Sequence, residues 1–229
     1  MGSNRLPGKV LMKIKEKSIL EHVINFLNLS KLVEIIVVAT TNLPEDDQIE
    51  KLCYDLNIKC FRGNPENVLE RYYQCAKLFD ADLIVRLTGD DPLIDPKLVD
   101  SIIYECQNGK YDYASNVLHQ TYPIGYSPCE VFTFKTLEDL YNNQKDPMST
   151  EHVTYYIRKN PNFYKIKEFS APVNLSRPNW RLTIDYKEDF QLMSEIFSKL
   201  YSGPPISYES LVDLLEKNPE LLKINEKYR

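Results

Sequence analysis

Three acidic side chains in this sequence follow apolar, strand-like runs directly. Asp90 and Asp91 come after residues 82–87 (DLIVRL) through the turn Thr88-Gly89, and Asp185 closes the run Arg181-Leu182-Thr183-Ile184. In a parallel α/β sheet such runs end in the ligand crevice, so carboxylates at their carboxyl ends face whatever binds there. Two carboxylates converging in one crevice repel each other unless a cation sits between them. Mg²⁺ meets that need, because it is a hard ion that takes one or two carboxylates and completes its shell with water and phosphate oxygens. The plainer role for Asp90, Asp91 and Asp185 is a turn or helix cap. Asp189, one helical turn past Asp185, reads as a first-turn helix residue facing solvent.

A second chemistry-bearing group opens the chain: Met1-Gly2-Ser3-Asn4-Arg5-Leu6-Pro7-Gly8-Lys9. Gly2 and Gly8 allow turns that bulkier residues resist, so amide N–H groups can gather around an anion while Arg5 and Lys9 add full positive charge. Such a loop suits a nucleoside triphosphate. The same residues also read as an unstructured basic terminus.

The elements that must position these groups are legible from periodicity. Ser18 and Glu21 have capping-box spacing, and Ile19, Leu20, Val23, Ile24 and Leu27 recur with helical period, with His22 on the helix surface. Residues 34–40 (EIIVVAT) form a β-branched run of the kind a doubly covered parallel strand needs. Pro44 opens the next helix. Strands follow at 58–61 and 82–87, separated by a helix carrying Val68, Leu69, Tyr72, Cys75, Ala76 and Phe79. Asp95 caps another helix with Pro96 in its first turn. This alternation predicts right-handed βαβ units and a mostly parallel, doubly wound sheet. From about Tyr111 to Phe169 the pattern becomes turn-rich, with candidate strands at 130–134 and 164–169, and reads as a β-rich arm or lid inserted over 111–170 into a single domain spanning 1–229. Residues 181–185 read as a further strand, followed by helices near 187–200 and 208–217.

Composition narrows the function classes. The chain has 229 residues, 43% hydrophobic, with a net charge of −5 and a sequence pI near 5.4, so any anion site must be local and a surface-wide nucleic-acid interface is excluded. No run of eighteen apolar residues and no leader pattern is present, which predicts a cytoplasmic protein with no membrane partner. The five cysteines are odd in number and widely spaced, which fits reduced, buried thiols.

With these residues in place the chain resembles the SpsF-type, spore-coat-polysaccharide branch of the cytidylyltransferases, relatives of the enzymes that make CMP-activated acidic sugars. The matching segments are residues 1–11 (MGSNRLPGKVL), 37–41 (VVATT), 61–63 (FRG), 68–73 (VLERYY), 87–95 (LTGDDPLID), 151–154 (EHVT) and 181–185 (RLTID). The resemblance implies a Rossmann-like nucleotidyltransferase fold whose first loop, through Gly2, Ser3, Arg5 and Lys9, holds the triphosphate of CTP. It implies that Asp90 and Asp185 bind Mg²⁺ and that Arg62 and Arg71 border the nucleotide pocket. Similar proteins begin with an apolar strand and a Gln-Ala-Arg-like stretch ahead of this loop, so the first strand is expected to be missing. Three or four buried aliphatic side chains at about 1.5–3 kcal/mol each would go with it, against a typical net stability of about 5–15 kcal/mol.

The implied reaction is in-line attack of a sugar hydroxyl on the α-phosphorus of CTP, releasing pyrophosphate, with Arg5 and Lys9 as the catalytic cations. An acidic sugar or related surface-polysaccharide precursor is the expected acceptor; for an anionic sugar Arg158, Arg177 and Arg181 are candidate partners, and His152 and Glu130 are candidate neighbours. The resemblance is compatible with a homodimer. A sugar-phosphate nucleotidyltransferase using another nucleoside triphosphate, and a catalytically weak nucleotide-binding protein, are the competing readings.

Overall fold

The computed structural model describes residues 2–3 and 5–228. A one-turn 3-10 helix at Lys9–Leu11 and a short hairpin, β1 (Lys13–Ile14) and β2 (Lys17–Ser18), lead into helix α1 (Ile19–Leu27), where Ser18 caps by accepting the Glu21 N–H at 3.1 Å. Then come β3 (Val37–Thr41), a 3-10 turn at Pro44–Asp46, α2 (Asp47–Asp55), β4 (Lys59–Gly63), α3 (Val68–Leu78), β5 (Leu83–Arg86) and α4 (Pro96–Asn108). Asp95 caps α4 through the Lys97 and Leu98 N–H groups. The second half contains β6 (Tyr113–Ser115), β7 (Glu130–Thr133), α5 (Phe134–Asn143), α6 (Pro147–Glu151), α7 (Tyr155–Lys159), β8 (Ile166–Glu168), α8 (Lys187–Leu200) and α9 (Tyr208–Lys217).

Strand alternation explains why the main sheet is covered on both faces. Along β5, β6 and β7, the residues Ile84, Tyr113 and Phe132 pack into a cluster with Leu69, Tyr73, Leu137, Leu140 and Ile157 of α3, α5 and α7. Their neighbours Leu83, Val85, Ala114 and Val131 pack the opposite way, against α1, α4, α8 and α9. The strand order is β5-β7-β6-β8. β6 and β8 are parallel, and β7 runs antiparallel to both of its neighbours. β3 and β4 form a separate parallel pair, and among the described residues no ladder joins it to β5.

Three sequence expectations change here. Residues 111–170 are not a β-rich arm set apart from the sheet: they supply β6, β7 and β8 to the sheet containing β5 and also carry α5, α6 and α7. Tyr113, Ala114, Val131 and Phe132 are all fully buried, because β6 and β7 are interior strands covered on both faces despite their shortness. Residues 181–185 form no strand. They thread between two loops, with Leu182 N–H donating to the Ile124 carbonyl at 2.6 Å and Ile184 N–H to the Asp90 carbonyl at 3.3 Å. Gly125 permits this approach, since its φ is +88° and a Cβ there would lie 2.3 Å from the Thr183 nitrogen. His22, finally, is fully buried, with Nε2 2.9 Å from the Ile14 carbonyl and its ring edge-on to Phe197 and Tyr201. Helix α1 is buried around most of its circumference, so it has almost no solvent face on which a histidine could sit.

Candidate active site

The opening loop folds as a tight turn. Ser3 Oγ accepts the Leu6 N–H at 3.3 Å, Lys9 N–H donates to the Leu6 carbonyl, and Gly8 takes the left-handed conformation, φ 69°, that ends the turn and starts the 3-10 helix. Glycine adopts that region without the Cβ clash other residues suffer. Gly2 is exposed and a Cβ there would meet nothing. Met1 and Asn4 of this loop lie outside the described residues.

The turn aims Lys9 inward. Its Nζ donates to Asp90 Oδ2 at 2.5 Å and to Asp185 Oδ1 at 2.8 Å. Arg5 reaches the same Asp185 oxygen at 2.6 Å while its side chain stays 53% exposed. Two carboxylates from distant parts of the chain thus converge on one cation, the arrangement that electrostatics demands of them. Burial alone would lower the Lys9 pKa, but the charge of Asp90 and the hydrogen bonds to Asp185 and Asp90 overcome it and raise it. Burial would likewise raise that of Asp185; the Lys9 and Arg181 hydrogen bonds hold it below the usual carboxylate value.

Asp185 is braced from behind by residues the sequence did not single out as a unit. Arg181 donates to Asp185 Oδ2 at 2.7 Å and to both oxygens of Asp189. Asp189, expected at the surface, is 2% exposed and accepts the Asp185 and Tyr186 N–H groups at 3.0 Å each and Asn225 Nδ2 at 2.8 Å. It therefore caps α8 and fixes the backbone of Asp185 together. The 181/185/189 spacing is the one signal in the sequence for this brace.

Asp91 points elsewhere. It is 5% exposed, Thr88 donates to its Oδ2, and its Oδ1 is buried without a partner. Burial, then the neighbouring Asp90 charge, push its pKa up to about 7. It lines a cavity of about 250 Å³ bordered also by Arg86, Asn116, Glu130 and Arg158.

Arg62 and Arg71 do not join the Lys9 group. Arg62 is engaged within its own lobe, donating to the Thr41 and Leu43 carbonyls at 2.5 and 2.8 Å and pairing with Asp47 and Glu50 of α2. Arg71 donates to the Asn64 carbonyl at 2.6 Å, lies along Gly63, and keeps a buried Nε without a partner. Burial lowers its pKa. Arg62 lies near the carboxyl end of β4, where it braces strand against helix, and Arg71, on α3, reaches the same strand end with its side chain. His152 and His119 are exposed.

A crossover α/β sheet with acidic side chains at loop and strand ends, facing a cationic opening turn, defines a nucleotidyltransferase-type site. The comparisons with known proteins agree. The cytidylyltransferase family model matches residues 1–228, and the chain belongs to that family. It is 34% identical to the spore coat polysaccharide biosynthesis protein SpsF of Bacillus subtilis, over 96% of this chain and 92% of that protein. A cytidylyltransferase structure from Leptospira borgpetersenii superposes with a TM-score of 0.90 at 33% identity, covering 97% of this chain and 92% of that one. A CMP:2-keto-3-deoxy-manno-octonic acid synthetase complexed with CTP shares the fold, with a TM-score of 0.66 at 17% identity, covering 86% of this chain and 95% of that one.

Proposed function

We propose that the chain transfers CMP from CTP to a hydroxyl of an acidic sugar or related polysaccharide precursor, with Mg²⁺ at the Asp90/Asp185 pair. The observation that carries this reading is the convergence of Asp90 and Asp185 on the single ammonium of Lys9. Side chains that can share one cation from the protein can share one from solution. Mg²⁺ often uses only one or two carboxylates and takes its other oxygens from phosphate and water. When bound, the ion would neutralise phosphate charge and polarise the reacting phosphoryl oxygens.

The protein's own part is positioning and charge. In the reaction the acceptor oxygen bonds to the α-phosphorus, the α–β bridging P–O bond breaks, and pyrophosphate leaves with the electron pair while the hydroxyl proton passes to solvent. Arg5 and Lys9, held together at Asp185, would turn to the phosphates and stabilise the charge growing on the departing pyrophosphate. No protein nucleophile is needed. No helix among the described residues is long and apolar enough to cross a membrane, and a cytoplasmic location completes the proposal.

The test is pyrophosphate release with each of four nucleoside triphosphates, with and without Mg²⁺, against acidic sugars and sugar phosphates. Release that needs CTP, an acidic sugar and Mg²⁺ supports the reading; equal release with another nucleotide, or none that depends on the metal, refutes it.

A further inference from the structure

Three cations meet at Asp185, and Arg5 is the most exposed of them: its side chain is 53% accessible, against 11% for Lys9 and 12% for Arg181. Asp185 is its one ion-pair partner among the described residues. An exposed arginine with a single pair keeps much of its rotamer freedom, and such pairs hold a side chain weakly. What steadies Arg5 is a ring. Its guanidinium carbon lies 5.3 Å from the centroid of the Tyr186 ring, and that of Arg181 lies 5.9 Å from the same centroid, both within the range of a cation–π contact. A guanidinium resting on a ring uses its face and keeps its in-plane N–H groups free, so this contact does not compete with the anion that Arg5 serves.

The ring is itself backed from the far end of the sequence. Tyr186 stands at the N-cap of α8, and Tyr228 stacks on it with centroids 3.7 Å apart and planes 1° from parallel. Two free aromatic rings prefer an offset or edge-on arrangement to one this nearly eclipsed, so the polar groups around the stack set it. The Tyr228 hydroxyl donates to Glu188 Oε2 at 3.1 Å, and Lys227 Nζ donates to Glu188 Oε1 at 2.7 Å. Asn225 Nδ2 donates to the Arg181 carbonyl at 2.9 Å and to Asp189 Oδ1 at 2.8 Å. Residues 225–228 thus clasp the first turn of α8 beside Asp185. Neither tyrosine belongs to an apolar core cluster, so core packing does not account for the stack.

Resting on the cytidylyl-transfer reading, we propose that Tyr186 and Tyr228 are positioning residues that hold the Arg5 guanidinium ready for the triphosphate, which makes residues 225–228 part of the phosphate-binding apparatus. Arg5 stays on the ring while its N–H groups exchange Asp185 for a phosphate oxygen. An arginine already ordered in this way loses less freedom on binding, and the saving shows as affinity for the phosphates. Tyr228 acts one step further back, by fixing the plane of the Tyr186 ring.

The test uses the full chain and the variants Tyr186→Leu, Tyr228→Ala, Tyr228→Phe, Arg5→Ala and Arg5→Ala with Tyr228→Ala. Calorimetry gives the Kd of CTP and of inorganic pyrophosphate in the presence of Mg²⁺, and saturation-transfer NMR gives that of cytidine, which carries no phosphate. Tyr186→Leu and Tyr228→Ala should each weaken CTP and pyrophosphate about two- to fivefold and leave cytidine unchanged. Tyr228→Phe keeps the ring and loses only the Glu188 hydrogen bond, so it should recover most of the affinity. In the Arg5→Ala background Tyr228→Ala should cost nothing further, because the group it positions is gone. A merely structural Tyr228 would lower Tm and weaken cytidine along with pyrophosphate. That pattern, full additivity of Arg5→Ala and Tyr228→Ala, or unchanged pyrophosphate binding in both tyrosine variants overturns the proposal. CTP binding by the wild type, measured first, separates the outcomes: its absence defeats the cytidylyl-transfer reading and this inference with it, whereas intact CTP binding with any of the overturning patterns defeats only this inference.

Discussion

Lys9 and Asp185 are 176 residues apart in the chain, and the Lys9 ammonium lies 2.8 Å from Asp185 Oδ1. The same ammonium is 2.5 Å from Asp90 Oδ2, so one cation holds two acidic loops together. Lys9→Met removes it and leaves the carboxylates facing each other. The side chains of Asp185 and Asp90 are 14% and 22% exposed, so solvent offsets part of the loss. The expected destabilisation is about 1–3 kcal/mol, below that of a fully buried broken pair, or about 2–12 °C in Tm for a chain of this size. Turnover should fall about ten- to a hundredfold. Calorimetry and a pyrophosphate assay check both; an unchanged rate would remove Lys9 from the chemistry.

Asp90→Asn and Asp185→Asn should each cripple turnover with little change in circular dichroism. Asp185→Asn also leaves Arg5 and Arg181 without this anion, so its Tm should drop further than that of Asp90→Asn. A Mg²⁺ titration of activity should shift to higher concentration in both variants. Near-normal activity in either one takes that residue out of the proposed metal site.

Asp189 is the buried brace of this corner, with five donors: two from Arg181, one from Asn225 and two backbone N–H groups. Asp189→Ala leaves Arg181 with Asp185 as its remaining carboxylate and removes the buried acceptor of the Asp185 and Tyr186 N–H groups at the start of α8, for an expected loss of about 3–5 kcal/mol. That corresponds to a Tm lower by about 6–20 °C. A thermal melt within a degree of wild type would show that the brace is dispensable.

Glu130 provides a pH signature. Burial would raise its pKa, but Arg86, then Thr154 and Tyr113, hold the folded-state value below its ordinary 4.5, so between the two values the unfolded chain binds more protons than the folded one. The stability it contributes is present above pH 4.5 and is lost as pH falls through the folded value. Glu130→Gln should therefore be less stable than wild type at pH 7 and show a shallower decline of stability below pH 4.5. Urea melts from pH 3 to 7 measure this, and parallel curves for the two proteins would contradict it.

Gly125 sits where residues 181–183 approach its backbone. Gly125→Ala places a Cβ 2.3 Å from the Thr183 nitrogen at a φ of +88°. The expected cost is about 2–4 kcal/mol from strain and displacement, with loss of activity because Thr183 and Asp185 shift together. A variant as stable as wild type would mean this segment is not held by the close approach.

Much of the fold was legible in the order of residues because local rules govern it. Ser18 and Asp95 announced α1 and α4 through capping chemistry that depends on residues two or three positions away. The expected helices near 187–200 and 208–217 match α8 and α9 to the residue, since helical periodicity is written within a single stretch of chain. Asp90 and Asp185 stood out because they followed apolar runs, and Arg5 and Lys9 because they lie in a glycine-containing opening loop. The partners of Arg62 were not legible: the sequence displayed a cation near a strand end but not Asp47 and Glu50 waiting for it across the turn.

What the sequence by itself determined is the alternation of strand and helix, the family pattern and the identity of the charged residues at the loop ends. The tertiary structure alone decided which of those charges meet. It put Arg86 opposite Glu130 by strand register, buried His22 and Asp189, and joined residues 111–170 to the main sheet. The physical reason is range: capping and periodicity act across one turn of chain, whereas burial and ion pairing depend on partners that come close only when the whole sheet has formed.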